Sequence, residues 1–147
     1  MQKDTLILFI KCPDRGQVKS RLAGSVGDER ARTLYRFFVE DLLDTLTGQE
    51  IRLRLYFEPH DAKDDISKWL GSRYDLLPQM GRDLGEKMRQ AFEETFQQGC
   101  RSALLIGSDV PDLPVIILRE GFDAISVHDA VLGPSMDGGY YLIGFRD

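Results

Sequence analysis

Two short runs of unbroken apolar residues, Leu6-Ile-Leu-Phe-Ile10 and Leu104-Leu-Ile106, constrain this 147-residue chain most. A strand with one wetted face alternates apolar and polar residues, whereas a strand without alternation is covered on both faces. Both runs therefore belong inside a sheet with helices on either side. The segments between the strand-like runs carry the other period. From Asp28, an expected N-cap, the residues Ala31, Leu34, Tyr35, Phe38, Val39, Leu42, Leu43 and Leu46 recur at helical spacing, and Gly48 ends the pattern. Leu84, Met88, Ala91, Phe92, Thr95 and Phe96 define a second helical face, opened by a capping-box pair, Asp83 and Glu86, and closed by Gly99.

Further elements follow from the same periods. Ile51 to Phe57 reads as a second strand, Ala62 to Leu70 as a weak helix, and Tyr74 to Leu77 as a short third strand. Ser102 to Ile106 is the fourth. Pro114 opens a helix reaching about Ala124. Val131-Leu132 and Tyr140 to Ile143 are two strands around the turn Met136-Asp-Gly-Gly139. Strands alternating with helices imply a single α/β domain over residues 1–147, a three-layer α/β/α arrangement with a mostly parallel sheet. The last strand extends to Phe145 and only Arg146 and Asp147 follow it, so the sequence reads either as a natural domain end or as a chain shortened at its C-terminus.

Charge and cysteine usage narrow the function. A net charge of −5 argues against a nucleic-acid binder that works by bulk electrostatics. No apolar run approaches the length of a membrane span. Cys12 and Cys100 match no zinc spacing, and the start lacks the cleavage site of a secretory leader, so a reducing cytoplasm is the simplest compartment.

The chemistry gathers after the two buried runs. The second stops at Gly107 and enters Ser108-Asp109-Val-Pro-Asp112-Leu. In open α/β sheets ligands collect at the carboxyl ends of the strands. Hard carboxylates there suit Mg²⁺ or Mn²⁺ bridged to phosphate. Asp109 is the metal candidate, against the competing reading of a turn cap. Asp112 precedes Leu113-Pro114 and suits helix N-capping. The first run enters a loop holding Lys11, Arg15, Lys19 and Arg21 around Gly16, four cations in eleven residues of an acidic protein. Such a loop can wrap a di- or triphosphate, with Arg giving the forked contact. The spacing is not that of a Walker A loop, and no Gly-x-Gly-x-x-Gly follows a strand. Cys12 lies inside this loop, where neighbouring cations favour its thiolate, yet no base stands beside it. Asp83 reads as a cap. Tyr140 and Tyr141 read as packing, and Asp137, Gly138 and Gly139 as a tight turn. His60 and His128 are isolated, and Met80 and Met88 are gap fillers.

Four motifs then occur in order: Lys11-x-Pro-x-x-Gly-x-Val-Lys19-Ser-Arg21-Leu, Pro78-Gln79-x-Gly-x-Asp83-Leu-Gly85-Glu-x-Met88, Gly107-Ser-Asp109-Val-Pro-Asp112-Leu and Gly133-Pro-x-x-Asp137-Gly-Gly-Tyr-Tyr-Leu-Ile-Gly144. Together they resemble a bacterial family of candidate glycosyltransferases, the type associated with radical-SAM and selenium-domain proteins. That family is similar to the nucleotide-diphospho-sugar transferase superfamily with the GT-A fold, which also holds nucleotidyltransferases acting on sugar phosphates and molybdopterin. Relatives of this kind usually continue past the point corresponding to Asp147, and the resemblance implies that such a part would carry acceptor-site residues or a further metal ligand.

The resemblance implies roles at matched positions. Lys11, Lys19 and Arg21 would wrap the nucleotide phosphates, with Lys19 also acting in catalysis. Gln79 and Gly85 would lie near the base or ribose. Asp109 would take the place of the metal-binding acid, holding Mg²⁺ or Mn²⁺, and Asp137 with Gly138 would border the donor or acceptor pocket. The implied activity is a metal-dependent transferase using a nucleotide-sugar. A nucleotidyltransferase using a nucleoside triphosphate, a non-catalytic nucleotide-binding domain and a plain interaction module remain the alternatives. No residue stands out as a general base.

Overall fold

The computed structural model describes residues 4–15, 24–108 and 114–147. In chain order these form β1 (Thr5–Lys11), α1 (Asp28–Thr47), β2 (Arg52–Glu58), α2 (Lys63–Leu70), β3 (Asp75–Pro78), α3 (Leu84–Gln97), β4 (Ser102–Gly107), α4 (Val115–Val127), β5 (Ala130–Pro134) and β6 (Tyr140–Arg146). The strands make one sheet in the order β3-β2-β1-β4-β6-β5. Strands β1 to β4 run parallel, while β6 is antiparallel to both β4 and β5. The mostly parallel α/β sheet expected from the sequence is therefore present.

The unbroken apolar run of β1 is buried because successive side chains serve opposite faces. Leu6, Leu8 and Ile10 join a core built with α1, α2 and α4. Ile7, with Phe9 beside it, joins a second core against Met88, Ala91 and Phe92 of α3. β4 divides in the same way, Leu104 and Ile106 toward the first core and Ala103 and Leu105 toward the second. Among the described residues, α1, α2 and α4 cover one face and α3 the other, giving the three layers.

The helix boundaries follow local chemistry with two differences from the sequence reading. Gly27, not Asp28, is the residue before α1, at φ 90°, a conformation that glycine adopts without strain. Asp28 and Glu29 instead occupy the first turn, where carboxylates favour the positive end of the helix dipole. α4 runs on to Val127, because Ile125 is fully buried and holds the extra turn against the sheet. His128 follows it as an exposed C-cap. The expected cap at Asp83 is present, its side chain accepting from Glu86 N at 2.9 Å. Glu86 reaches back to Arg82 N at 2.8 Å, completing a reciprocal pair displaced by one residue from the usual capping box.

This order fixes where a ligand can sit. The chain steps outward from β1 to β2 to β3, then returns to place β4 on the other side of β1. The carboxyl ends of β1 and β4 therefore lie side by side, where the strand order reverses. Such a reversal is the topological switch point at which open parallel sheets leave a crevice.

Candidate functional site

A cavity of about 630 Å³ opens at this crevice, within the usual range for a small-molecule site. Its floor includes Phe9, Leu105 and Gly107, its polar groups include Lys11, Glu58, Gln79, Lys87 and Ser108, and Met88, Tyr140 and Tyr141 wall it.

The ends of β1 and β4 are tied together by a buried hydroxyl. Tyr35, on the inner face of α1, is 2% exposed. Lys11 N–H donates to its oxygen at 2.7 Å, and the same oxygen lies 2.7 Å from Ser108 Oγ. The residue that starts the basic loop and the residue before Asp109 are thus held by one side chain.

Gln79 closes the cavity from the β3 end. Its backbone N–H donates to Phe57 O at 2.8 Å. Its amide Nε2 donates to Ile10 O at 3.2 Å and Tyr56 O at 3.0 Å. Both amide protons are thereby committed to strand carbonyls, which fixes the amide orientation. Among the described residues no group donates to Oε1, and the side chain borders the cavity. On the α3 side Lys87 Nζ donates to Glu58 Oε1 at 2.6 Å, in an ion pair whose lysine side chain is 21% exposed. Glu58 thereby holds an ammonium group against the cavity.

Other residues singled out from the sequence lie differently. Arg15 turns to α2 and its preceding turn, pairing with Asp61 at 2.8 Å and Asp65 at 3.4 Å. The hydrogen bond from Arg15 holds the Asp61 carboxyl below the usual range. Asp14 is occupied by Arg36. Gly85 sits in the first turn of α3, beside an apolar groove formed with Tyr140, Ile143 and Phe145 rather than in the cavity lining. Asp137 Oδ1 accepts from Ser135 Oγ and from Gly139 N, so this carboxylate organises the β5–β6 turn. Gly138 provides the positive φ of that turn, 91°, and Gly139 borders the cavity. Of the residues proposed from the sequence, Lys11 and Gln79 are brought together at the cavity. Gly16, Lys19, Arg21, Asp109 and Asp112 lie outside the described residues.

One expectation is reversed. Cys12 is 1% exposed, and burial pushes its thiol up from the ordinary value, outweighing the backbone hydrogen bond at Asp14 that favours the thiolate; the charges of Asp65 and Asp14 raise it and that of Arg15 lowers it. Arg15 favours the thiolate, but burial outweighs it. Tyr35, Ser108, Glu58 and Lys87 were not legible as site residues. Tyr35 counted toward an apolar stripe, and only its hydroxyl signalled a second task. Glu58 carried a weak signal, since it ends a strand with a carboxylate just as Gly107 leads to Asp109.

Among the described residues no cluster of three or more histidine, cysteine or acidic side chains could hold a metal. No helix there is long and apolar enough to cross a membrane.

Comparisons with known proteins place this geometry. The family described as "Uncharacterized protein conserved in bacteria (DUF2064)" matches residues 42–147. No curated protein matches the chain. Among solved structures, a candidate nucleotide-diphospho-sugar transferase from Desulfovibrio desulfuricans G20 superposes with a TM-score of 0.93 at 39% identity, over 99% of this chain and 64% of that one. A cytidylyltransferase from Leptospira borgpetersenii serovar Hardjo-bovis (strain JB197) gives 0.58 at 12% identity, over 99% of this chain and 61% of that one. A 4-diphosphocytidyl-2C-methyl-D-erythritol synthase from Anaerococcus prevotii DSM 20548 gives 0.57 at 13% identity, over 97% and 70%. The last two show a shared fold. The chain spans less than two thirds of the length of the first two.

Proposed function

The chain belongs to the bacterial DUF2064 family, and on that premise we propose that it is a transferase acting on a nucleotide-activated donor, with a nucleotide-sugar as the preferred donor. The observation that carries the reading is the cavity at the β1/β4 switch point, where Lys11, Lys87 and the fixed Gln79 amide converge at one edge of the sheet. The likeness at 39% identity to a candidate nucleotide-diphospho-sugar transferase supports sugar transfer.

In this reading the diphosphate of the donor lies over the ends of β1 and β4. Lys11, with Lys19 and Arg21 of the following segment, neutralises its oxygens, and Lys87 adds a further cation from α3. Arg15 is left to anchor the loop through Asp61 and Asp65. Gln79 offers an acceptor to the nucleobase, because its two amide protons are already used. Asp137 shapes the turn that brings Gly139 to the cavity wall.

Mg²⁺ or Mn²⁺ is the proposed metal, and Asp109 the residue that would hold it. A site with one protein carboxylate fits a hard cation that takes its other ligands from water and substrate phosphates. When bound, such an ion stabilises charge developing on the leaving phosphate. The protein's own part is positioning: Tyr35 holds Ser108, the residue next to Asp109, against the start of the basic loop.

Calorimetry with nucleoside diphosphates and nucleotide-sugars, in Mg²⁺, in Mn²⁺ and in chelator, tests the proposal. Nucleotide-sugar binding should weaken at least about tenfold in chelator and in Asp109→Asn, as expected for the loss of a charged contact. Binding indifferent to both would overturn the metal assignment. Release of nucleoside diphosphate from the donor marks sugar transfer. Release of pyrophosphate from a nucleoside triphosphate marks nucleotidyl transfer instead, and binding without turnover marks a nucleotide-binding domain.

A further inference from the structure

Arg54 is an arginine where the sheet calls for an apolar residue. It lies in the second core face of β2, between Arg52 and Tyr56, and is 4% exposed. A buried guanidinium is expected to sit against a carboxylate. Arg54 has no ion pair among the described residues. Its Nη2 donates to Tyr56 Oη at 3.1 Å, and its buried Nε has no hydrogen-bond partner. Tyr56 Oη donates in turn to Glu94 Oε2 at 2.9 Å.

The side chain borders a cavity of about 530 Å³ along the open edge of the sheet at β3. Two further cations, Arg52 and Lys63, line the same cavity. Its one acid, Asp75, is taken by Arg52 at 3.2 Å. Lys63 has no ion pair among the described residues. Three cations against one paired acid make this a positive enclave on a chain of net charge −5. Ser67, Ser72 and Tyr74 add hydroxyls around it. The cavity shares no lining residue with the cleft at the carboxyl edge.

We propose that the Arg54 cavity is an anion site for a phosphate group, separate from the transferase cleft and independent of its assignment. A guanidinium fork, an ammonium and several hydroxyls approaching from β2, α2 and the turn before β3 suit a tetrahedral oxyanion with several charged oxygens better than a planar carboxylate. The volume exceeds that of a bare phosphate and leaves room for the small organic group of a phosphate monoester.

Nuclear magnetic resonance of isotope-labelled protein tests this directly through the Nε–H signal of Arg54. Inorganic phosphate and glycerol phosphate are titrated in separate arms, with acetate as the control. The signal should move along a saturable curve with a Kd of about 1 mM or tighter. Affinity should fall about tenfold in Lys63→Ala, an exposed position whose truncation leaves the core intact. It should be unaltered in Lys87→Met at the other cleft. Tighter binding of the ester identifies a phosphate monoester as the ligand, the reverse order identifies free phosphate, and both uphold the site. A motionless Arg54 signal, an equal response to acetate, or a response unchanged in Lys63→Ala overturns it.

Discussion

Tyr35 counts in the sequence as one more position on an apolar stripe, and its ring does pack there, 6.4 Å from Trp69 between ring centres. Its hydroxyl does something the stripe cannot reveal, because Ser108 is 73 residues away. Helical spacing reports which way a side chain points but not which distant strand end meets it. Removing the oxygen alone, in Tyr35→Phe, takes away the buried partner shared by the Lys11 amide and the Ser108 hydroxyl. Chemical denaturation should show a loss of about 1–3 kcal/mol, and an unchanged midpoint would show that the hydroxyl ties nothing together. Lys87 escaped notice for the same reason, since its partner Glu58 is 29 residues away. Lys87→Met keeps the stem and removes the charge, so nucleotide binding should weaken about tenfold while the unfolding midpoint stays near wild type. Cys12 gives a pH-dependent readout. Burial disfavours its thiolate, so its folded pKa is raised and the associated stability is present below the ordinary thiol value of about 8.5. That stability fades as pH climbs through the raised folded value. Alkylation of Cys12 in the native protein should therefore lag far behind that of denatured protein at mildly alkaline pH, and equal rates would contradict its burial.

Elements were legible where their cause is local. The Asp83–Glu86 pair announces the start of α3 from two residues three apart, and the structure uses both. The unbroken run in β1 needed no partner to be read as doubly covered. Boundaries failed where the cause is tertiary, as in the last turn of α4, which exists because Ile125 meets the sheet. Strand pairing is the extreme case. Nothing around Gly144 in the sequence says that β6 lies antiparallel beside β4, yet the register Leu104↔Gly144 depends on this residue having no side chain. A Cβ there would come within 2.3 Å of Leu104 Cδ2 and 2.8 Å of Val131 Cγ1, with Ala103 O at 3.0 Å. Gly144→Ala should destabilise the fold by about 1–3 kcal/mol. Gly48, after α1, has ordinary φ and open space around its would-be Cβ. Gly48→Ala should stay within about 0.5 kcal/mol of wild type. Thermal unfolding of the two variants side by side separates a packing effect at the β4–β6 seam from a general intolerance of replacing glycine.

At the scale of the whole molecule, strand order decides where chemistry can happen, and strand order was the part hidden from the sequence. Alternating strands and helices are compatible with several orders. Only the placement of β4 beside β1 brings Lys11 and Ser108 to one crevice, whereas β4 added outside β3 would have separated them by the width of the sheet. That placement follows from burial. β1 and β4 are the two apolar runs able to fill a doubly covered centre, and β3, with a partly exposed pattern, suits an edge. If the crevice is the donor site, a nucleotide-sugar joins segments far apart in the chain and must stabilise the folded state as a unit. Ligand at a hundred times its Kd should add about 2.7 kcal/mol to the free energy of unfolding, read as a rise in the melting temperature. With Mg²⁺ or Mn²⁺ the rise should be full. It should shrink with chelator and in Asp109→Asn, and persist in Lys63→Ala, because that residue borders the other cavity. A nucleotide-sugar that raises the melting temperature equally in Lys87→Met and wild type, but not in Lys63→Ala, would move the donor site to the β3 edge and leave the crevice at the switch point without a role.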